Sequence, residues 1–182
     1  ELLTGQFPEI LQAAEKLPDG TVLDGEVLAW KPDEVEPLPF GELQQRISRK
    51  NVTSDIQREV PVVFMAYDCL ETTGSDLREQ PIEHRLQQLL VIQEALPLQT
   101  KHYIRRAPEL EFASWEALNS ARHAARAAGV EGLMLKRRGG AYKVGRVKGD
   151  WWKWKADPYT VDAVMMYAQA GHGRRAGLFT DF

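Results

Sequence analysis

Two lysines and a carboxylate have the types and spacing needed to hold an anion. The sequence WWKWK near the C-terminal end has strand character, which would place Lys153 and Lys155 on one face and Trp152 and Trp154 on the other. Adjacent like charges on a strand repel each other unless an anion lies over them. Glu131 precedes them, and a glycine-rich basic loop lies between. The pattern favours a phosphate site, with a lysine-blunted edge strand as the alternative.

A second pair of acidic side chains interrupts an otherwise apolar strand. Residues 21–30 read TVLDGEVLAW, and alternation puts Asp24 and Glu26 on the same face. Two carboxylates on such a face are costly to bury without a partner. They are suited to binding ribose hydroxyls or a metal ion; a solvated edge is the alternative.

The charge of the chain is unevenly distributed. The net charge is −3, yet residues 1–42 carry ten acids and two bases, whereas residues 131–155 carry eight bases and two acids. A nearly neutral total therefore conceals a basic surface, which is compatible with a polyanionic partner at one face.

Composition restricts the class of protein. With 182 residues, 43% of them hydrophobic, the chain can form a core of domain size. Neither a membrane-spanning apolar run nor a signal peptide is recognisable. The single cysteine, Cys69, fits a reducing compartment and a buried apolar position. These features predict a cytoplasmic protein without membrane contact, and the compact loops favour a bacterial source.

The elements that must position these groups alternate between helices and strands. The patterns predict a polar connection over 49–58, a turn over 71–76 and a helix cap at Gly129. Helices are predicted over 7–17, 40–47, 81–95 and 112–128, and strands over 21–30, 60–70, 101–106, 133–136 and 151–155. The fold class is therefore α+β.

The sequence changes character after Pro158. Residues 159–168 alternate like a strand, residues 171–177 resemble a hairpin turn, and a further strand begins at Leu178. We expect a hinge at 156–158 between an α+β domain and an all-β one. The first residue is not methionine and the last residues fall within a strand-like pattern, so we also expect the chain to be a fragment.

Taken in order, the segments LDGEVLAW, FMAYD, VEGLMLK and WWKWK resemble the motifs of the covalent nucleotidyltransferase superfamily, which includes DNA ligases, RNA ligases and mRNA capping enzymes. Residues 38–46, 142–151 and the Gly-His-Gly-Arg-Arg turn look specifically like ATP-dependent DNA ligases. The resemblance implies that residues 1–157 are the C-terminal part of an antiparallel-sheet, ATP-grasp-like adenylation domain. It also implies that 158–182 begin an OB-fold β-barrel.

One family motif has no match in this sequence. The nucleophile of the family is a lysine in K-x-D-G, several tens of residues before the motif that Asp24-Gly25-Glu26 resembles. Here Lys16 is the only lysine before Glu26, and it lies in K-x-x-D-G. We therefore reject Lys16 as the nucleophile. The resemblance then implies that the nucleophile lies outside this chain, and that these residues alone do not form enzyme–AMP.

The resemblance also implies roles for the remaining site residues. Lys153 and Lys155 would contact the α-phosphate of ATP, and Glu131 would hold Mg²⁺ through water. Glu26 would bind the ribose and is a second metal candidate, while Tyr67 would stack on adenine. Lys136 is a further phosphate candidate, and the predicted contacts to nicked double-stranded DNA are Arg137, Arg138, Arg146, Lys148, Arg174 and Arg175.

Alternatives remain at this point. The protein could be an RNA ligase or a capping enzyme, because these share the nucleotide motifs, or a non-catalytic polyanion-binding module. Tyr67 could be a core aromatic, Lys136 a solvated strand end, and Arg137 and Arg138 ordinary surface residues. The preferred interpretation is a monomeric DNA ligase that uses ATP and Mg²⁺ and passes AMP to the 5′-phosphate at a nick.

Overall fold

A computed structural model describes residues 3–49, 51–145, 147–158, 160 and 162–181. In these ranges the strands, which are mainly antiparallel, form one larger sheet and two two-stranded sheets, and α-helices lie between them in the chain. The mixture confirms the predicted combination of helices with antiparallel sheets. The OB-fold predicted to begin in the last residues stays a prediction.

The larger sheet is built on two long strands. β1 (Val22–Ala29) pairs antiparallel with β2 (Val62–Thr72), as the alternating and β-branched patterns predicted. Asp24 lies opposite Asp68 and Gly25 opposite Ala66, so Tyr67 is an extra residue in the ladder. Such a bulge bends the strand and redirects its side chains.

Two short strands complete this sheet. β3 (Ser75–Asp76) pairs with the end of β2 through a two-residue turn in which Thr73 and Gly74 both have positive φ. β4 (Ile104–Arg106) runs parallel to β2. The prediction of a turn over 71–76 is therefore correct in its centre, although its ends belong to the hairpin.

Helices cover the larger sheet. α1 (Pro8–Ala14), α2 (Phe40–Ile47) and α4 (Ile82–Ala95) confirm three predicted helices, although α1 is shorter than expected. Apolar side chains of β2 and α4 form the centre of the core, and Cys69 is fully buried there, as predicted.

Two further helices differ from the predictions. The expected polar connection over 49–58 contains α3 (Ser54–Glu59), whose N-cap Thr53 accepts a hydrogen bond from the Ile56 amide. The expected strand over 101–106 is mostly α5 (Leu98–Tyr103), which follows Pro97 and leaves three residues for β4. Both helices are short, so packing decided their conformation more than periodicity did.

The second sheet carries the lysine pair. After α6 (Trp115–Ala124) and a turn closed by Gly129 at positive φ, β5 (Gly132–Lys136) pairs antiparallel with β6 (Trp151–Lys155). All three elements were predicted, although α6 is shorter than expected: its C-cap is Ala125, and Gly129 lies in the turn that follows.

The strand predicted over 159–168 is wrong for the described residues there, which have no assigned strand. Its alternating side chains are largely exposed, for example Met165 at 68%, so the pattern has no core to face. β7 (Gln169–Ala170) and β8 (Phe179–Asp181) do form a small antiparallel pair around the predicted Gly171–Gly177 turn.

Candidate nucleotide-binding site

The register of β5 and β6 fixes which side chains share a face. Lys153 lies opposite Met134, Lys155 opposite Gly132, and Lys136 opposite Trp151. Because faces alternate along a strand, all three lysines belong to the same face of this sheet. The prediction that Lys153 and Lys155 share a face is confirmed, and Lys136 joins them.

The opposite face is covered by α6. The rings of Trp115 and Trp154 meet edge to face with their centroids 6.3 Å apart, and the Arg122 guanidinium lies 5.3 Å from the centre of the Trp154 ring. This packing orients β6 so that its lysines project away from the helix.

Lys155 and Glu131 form an ion pair on the lysine face. The distance between Lys155 Nζ and Glu131 Oε2 is 2.7 Å, and both side chains are exposed. The hydrogen bond from Lys155 and its charge lower the pKa of the Glu131 carboxyl below its usual range. Glu131 therefore stays ionised below the pH at which a free glutamate would be protonated.

A cavity of about 510 Å³ unites the predicted groups. Its polar lining includes Glu26 from β1 together with Glu131, Lys153 and Lys155. An apolar wall comes from the segment between β1 and α2, with Pro37, Leu38, Phe40 and Leu43. Four residues predicted from separate segments thus surround one space that has paired cations, carboxylates and an apolar side.

A second cavity, of about 750 Å³, lies under the loop between β5 and β6. Trp151 and Tyr142 supply aromatic surface, and Lys143 and Lys148 supply positive charge. Met134 and Lys153, which are directly opposite each other, line both cavities. Sequence reasoning missed Met134 because a methionine in an apolar run signals only packing.

Asp24 contacts one tyrosine of its own sheet and one tyrosine of the β5–β6 loop. Its carboxylate accepts hydrogen bonds from Tyr67 Oη at 3.2 Å and from Tyr142 Oη at 2.8 Å. Burial and the neighbouring carboxylate raise the pKa of Tyr142 to about 12 and raise that of Tyr67 further. Both hydroxyls therefore remain protonated donors. The two tyrosine hydroxyls are therefore the hydrogen-bond partners that a partly buried Asp24 carboxylate needs.

These features can be compared with known proteins. Residues 1–155 match the family described as ATP dependent DNA ligase domain. The chain belongs to this family. It is 34% identical over 201 residues to a probable DNA ligase of Koribacter versatilis and 38% identical over 183 residues to a DNA ligase of Halorubrum lacusprofundi. The alignments cover 99% of this chain but only 34% and 29% of those proteins.

Solved structures resemble the fold of this ligase domain. A structure described as DNA binding with a minimal scaffold, from Lig E DNA ligases, has a TM-score of 0.66 at 24% identity, covering 92% of this chain and 58% of that one. Mycobacterial DNA ligase D complexed with ATP and MES has a TM-score of 0.60 at 26% identity, covering 82% and 42%.

Lys136 of the ligase domain is not free in solution. Its ammonium donates to the Tyr67 carbonyl at 3.1 Å and lies 4.6 Å and 4.1 Å from the ring centres of Tyr67 and Trp151. Burial lowers the pKa of Lys136, although the charges of Asp24 and Asp68 act in the opposite direction. Tyr67 and Lys136 are not among the described residues that line the two cavities.

A buried arginine that sequence reasoning did not single out anchors the β5–β6 loop of the ligase domain. Arg85 binds both carboxylate oxygens of Asp68 and also donates to the Gly140 carbonyl at 3.1 Å. The Gly140 carbonyl also accepts from the Ile82 amide, and the Tyr142 amide donates to the backbone carbonyl of Arg78. The appearance of Arg85 on the apolar side of α4 was the only available sequence signal.

The predicted DNA-contacting residues have varied surroundings. Arg137 is 3.8 Å from Asp150, Arg138 is 3.5 Å from Glu83, and both arginines are exposed. Lys148 is exposed and lines the larger cavity. Arg174 and Arg175 are exposed in a short 3₁₀ turn between β7 and β8, and Arg146 lies outside the described residues.

The carboxylates on the smaller cavity fit a Mg²⁺ site of the kind completed by substrate. The described parts of the chain contain no group of three or more His, Cys, Asp or Glu residues placed to hold a metal. Glu131 and Glu26 offer oxygen ligands on the cavity wall, and Mg²⁺ commonly takes one or two carboxylates with phosphates and water. Glu131 would hold the ion, and Glu26 is the second candidate ligand.

Lys16 is exposed after α1 and is not one of the described residues that line either cavity. Within the described residues, none of the helices has both the length and the apolar character needed to cross a bilayer.

Proposed function

We propose that this ligase domain binds ATP as part of a DNA ligase that seals nicks in duplex DNA. The observation that supports this most is the cavity shared by Glu26, Glu131, Lys153 and Lys155, in which paired cations of β6 lie with a carboxylate of β1 and the carboxylate that precedes β5. Paired lysines oppose the charge that develops on a phosphoryl group, and a carboxylate near them suits a ribose or a phosphate-bound metal.

The roles follow from this arrangement. Lys153 and Lys155 contact the α-phosphate, and Lys155 is held by its ion pair with Glu131. Glu26 binds the ribose hydroxyls. The family resemblance makes Tyr67 the candidate to stack on adenine, although Tyr67 is outside the described lining of this cavity, and its hydroxyl donates to Asp24.

The reaction begins with attack of a lysine amine on the α-phosphate of ATP, which releases pyrophosphate and leaves AMP on the enzyme. AMP then passes to the 5′-phosphate at the nick, and the 3′-hydroxyl displaces it. Bound Mg²⁺ would neutralise charge on the phosphates. The attacking lysine comes from residues outside these 182, so this chain alone should not become labelled when incubated with radioactive ATP.

The nucleic acid contacts are proposed from charge. Exposed Arg137, Arg138 and Lys148 lie on the loop next to the site, and we place DNA phosphates against this loop and against Arg146. Arg174 and Arg175 provide a second contact from residues 158–182, which we propose to be the start of an OB-fold. The protein would act in the cytoplasm as a monomer.

Nick sealing tests the proposal directly. A protein in which these 182 residues are joined to a K-x-D-G segment should seal nicked DNA with ATP and Mg²⁺, and Lys153→Ala should abolish its self-adenylation. Preferential sealing of nicked RNA would instead indicate an RNA ligase. Binding of DNA without any adenylation would indicate a non-catalytic module.

A further inference from the structure

Lys136 is in a different environment from the other two lysines on its face. Lys153 and Lys155 are exposed on the smaller cavity, whereas Lys136 is partly buried between two aromatic rings. An ammonium within about 6 Å of an aromatic ring centre is attracted by the ring face. The Lys136 ammonium thus already contacts two aromatic rings and a backbone carbonyl of the protein.

The carbonyl that Lys136 contacts belongs to the bulge in β2. Tyr67 has no residue opposite it on β1, so the position of Tyr67 depends on contacts other than that ladder. Lys136 comes from the other sheet and donates to the Tyr67 carbonyl at 3.1 Å. Together with the bond from the Tyr67 hydroxyl to Asp24, this contact holds the tyrosine at both ends.

The second ring near Lys136 belongs to a cavity wall. Trp151 lies directly opposite Lys136, lines the larger cavity and packs edge to face on Tyr142 at 5.5 Å. Tyr142 in turn donates to Asp24, which also accepts from Tyr67. Lys136 is therefore placed where it can fix the separation of two aromatic residues that come from different sheets.

We propose that Lys136 is a positioning residue that braces Tyr67 against Trp151 across the two sheets and makes no phosphate contact. This inference rests on the proposed nucleotide-binding function and assigns Lys136 to the base end of that site. Its loss should weaken binding of the adenine base, whether or not phosphates are attached.

Comparison of adenosine with ATP separates positioning from phosphate contact. For Lys136→Met, calorimetry should show affinity lowered by about tenfold for both ligands, the loss expected for one hydrogen bond from a charged donor. The matched variant Lys153→Met should lower the affinity for ATP and leave that for adenosine unchanged. Lys136→Arg keeps a cationic donor and should restore most of the adenosine affinity. If Lys136→Met lowers the affinity for ATP alone, Lys136 is a phosphate contact and the proposal is wrong.

A nuclear magnetic resonance measurement on the unsubstituted chain covers the possibility that Lys136→Met does not fold. In a chain labelled with ¹³C-lysine, the Lys136 Cε protons should be shifted upfield by the two rings, and Trp151→Leu should remove part of that shift. ATP should move the Lys153 signal more than the Lys136 signal. A Lys136 signal at the position of exposed lysines would overturn the inference even if ATP binds. Absence of ATP binding, with the upfield shift intact, would instead refute the proposed function and the inference with it.

Discussion

Arg85 and Asp68 form a two-pronged ion pair in which both side chains are completely buried. Arg85 Nε lies 2.7 Å from Asp68 Oδ1, and an Arg85 terminal nitrogen lies 2.9 Å from Asp68 Oδ2. The remaining terminal nitrogen bonds the carbonyls of Gln80 and Gly140. The pair thus fixes α4 to β2 and holds the loop that leads to the lysine strand.

Removing one partner should be strongly destabilising. Arg85→Ala leaves the Asp68 carboxylate buried without its cation, so the free energy of unfolding should fall by about 3 to 5 kcal/mol. Chemical denaturation followed by circular dichroism measures this change. Arg58→Ala is the matched control, because its pair with Asp55 is exposed and should contribute little. Similar losses in the two variants would show that the buried pair is not the anchor described.

A glycine in β5 should also be intolerant of substitution. Gly132 has φ of +145°, and a Cβ there would lie 2.4 Å from the Trp154 carbonyl oxygen. Gly132→Ala should therefore separate the two strands and lower the free energy of unfolding by about 2 kcal/mol or more.

Gly139→Ala, in the loop after β5, is the control for Gly132→Ala, because nothing lies within 4 Å of the added Cβ. Thermal unfolding of both variants compares the two sites. A Gly132→Ala protein as stable as the unsubstituted chain would contradict the close approach of β5 and β6.

The bond between Tyr142 and Asp24 should make stability sensitive to alkaline pH. The pKa of Tyr142 is raised to about 12 by burial and by the Asp24 carboxylate. Because the folded value exceeds the usual one, the stabilisation is fully present below about pH 10 and is lost as pH rises through about 12.

Tyr142→Phe tests this dependence. Its stability deficit, about 1.5 kcal/mol for a bond to a charged acceptor, should stay constant to about pH 10 and shrink above that. Denaturant titrations of both proteins at several pH values measure it. A deficit that is unchanged across the alkaline range would rule out this bond as its cause.

The sequence predicted the parts of the fold that repeat a local pattern. β1 and β2 were recognised from alternation and β-branched residues, β5 from its short apolar run, β6 from its alternating lysines, and α2 from its regular apolar spacing. α3 and α5 were missed even though Thr53 and Pro97 offered start signals. Helices this short lack the periodicity that distinguishes a helix from a loop.

The sequence predicted the charged groups of the candidate site but not the residues that hold the surrounding segments in place. The lysine pair and the carboxylates could be identified because their types are unusual on strands. The contacts of Lys136 and Arg85 join residues separated by 69 and 55 positions, respectively, and one sequence contains no signal for such pairing. The alternating residues before β7 were predicted to be a strand but are exposed, because an alternating pattern forms a strand only where a neighbouring strand pairs with it.

The binding of ATP by this chain, with and without Lys153, tests the central claim most directly. Calorimetry with ATP and Mg²⁺ should detect binding, and Lys153→Ala should lower the affinity by about tenfold or more, since a charged contact to phosphate is lost. Lys31→Ala, which removes an exposed lysine of the segment before α2, should leave the affinity unchanged. Equal affinity of the Lys153→Ala and unsubstituted chains for ATP would contradict the assignment of the cavity as a nucleotide site.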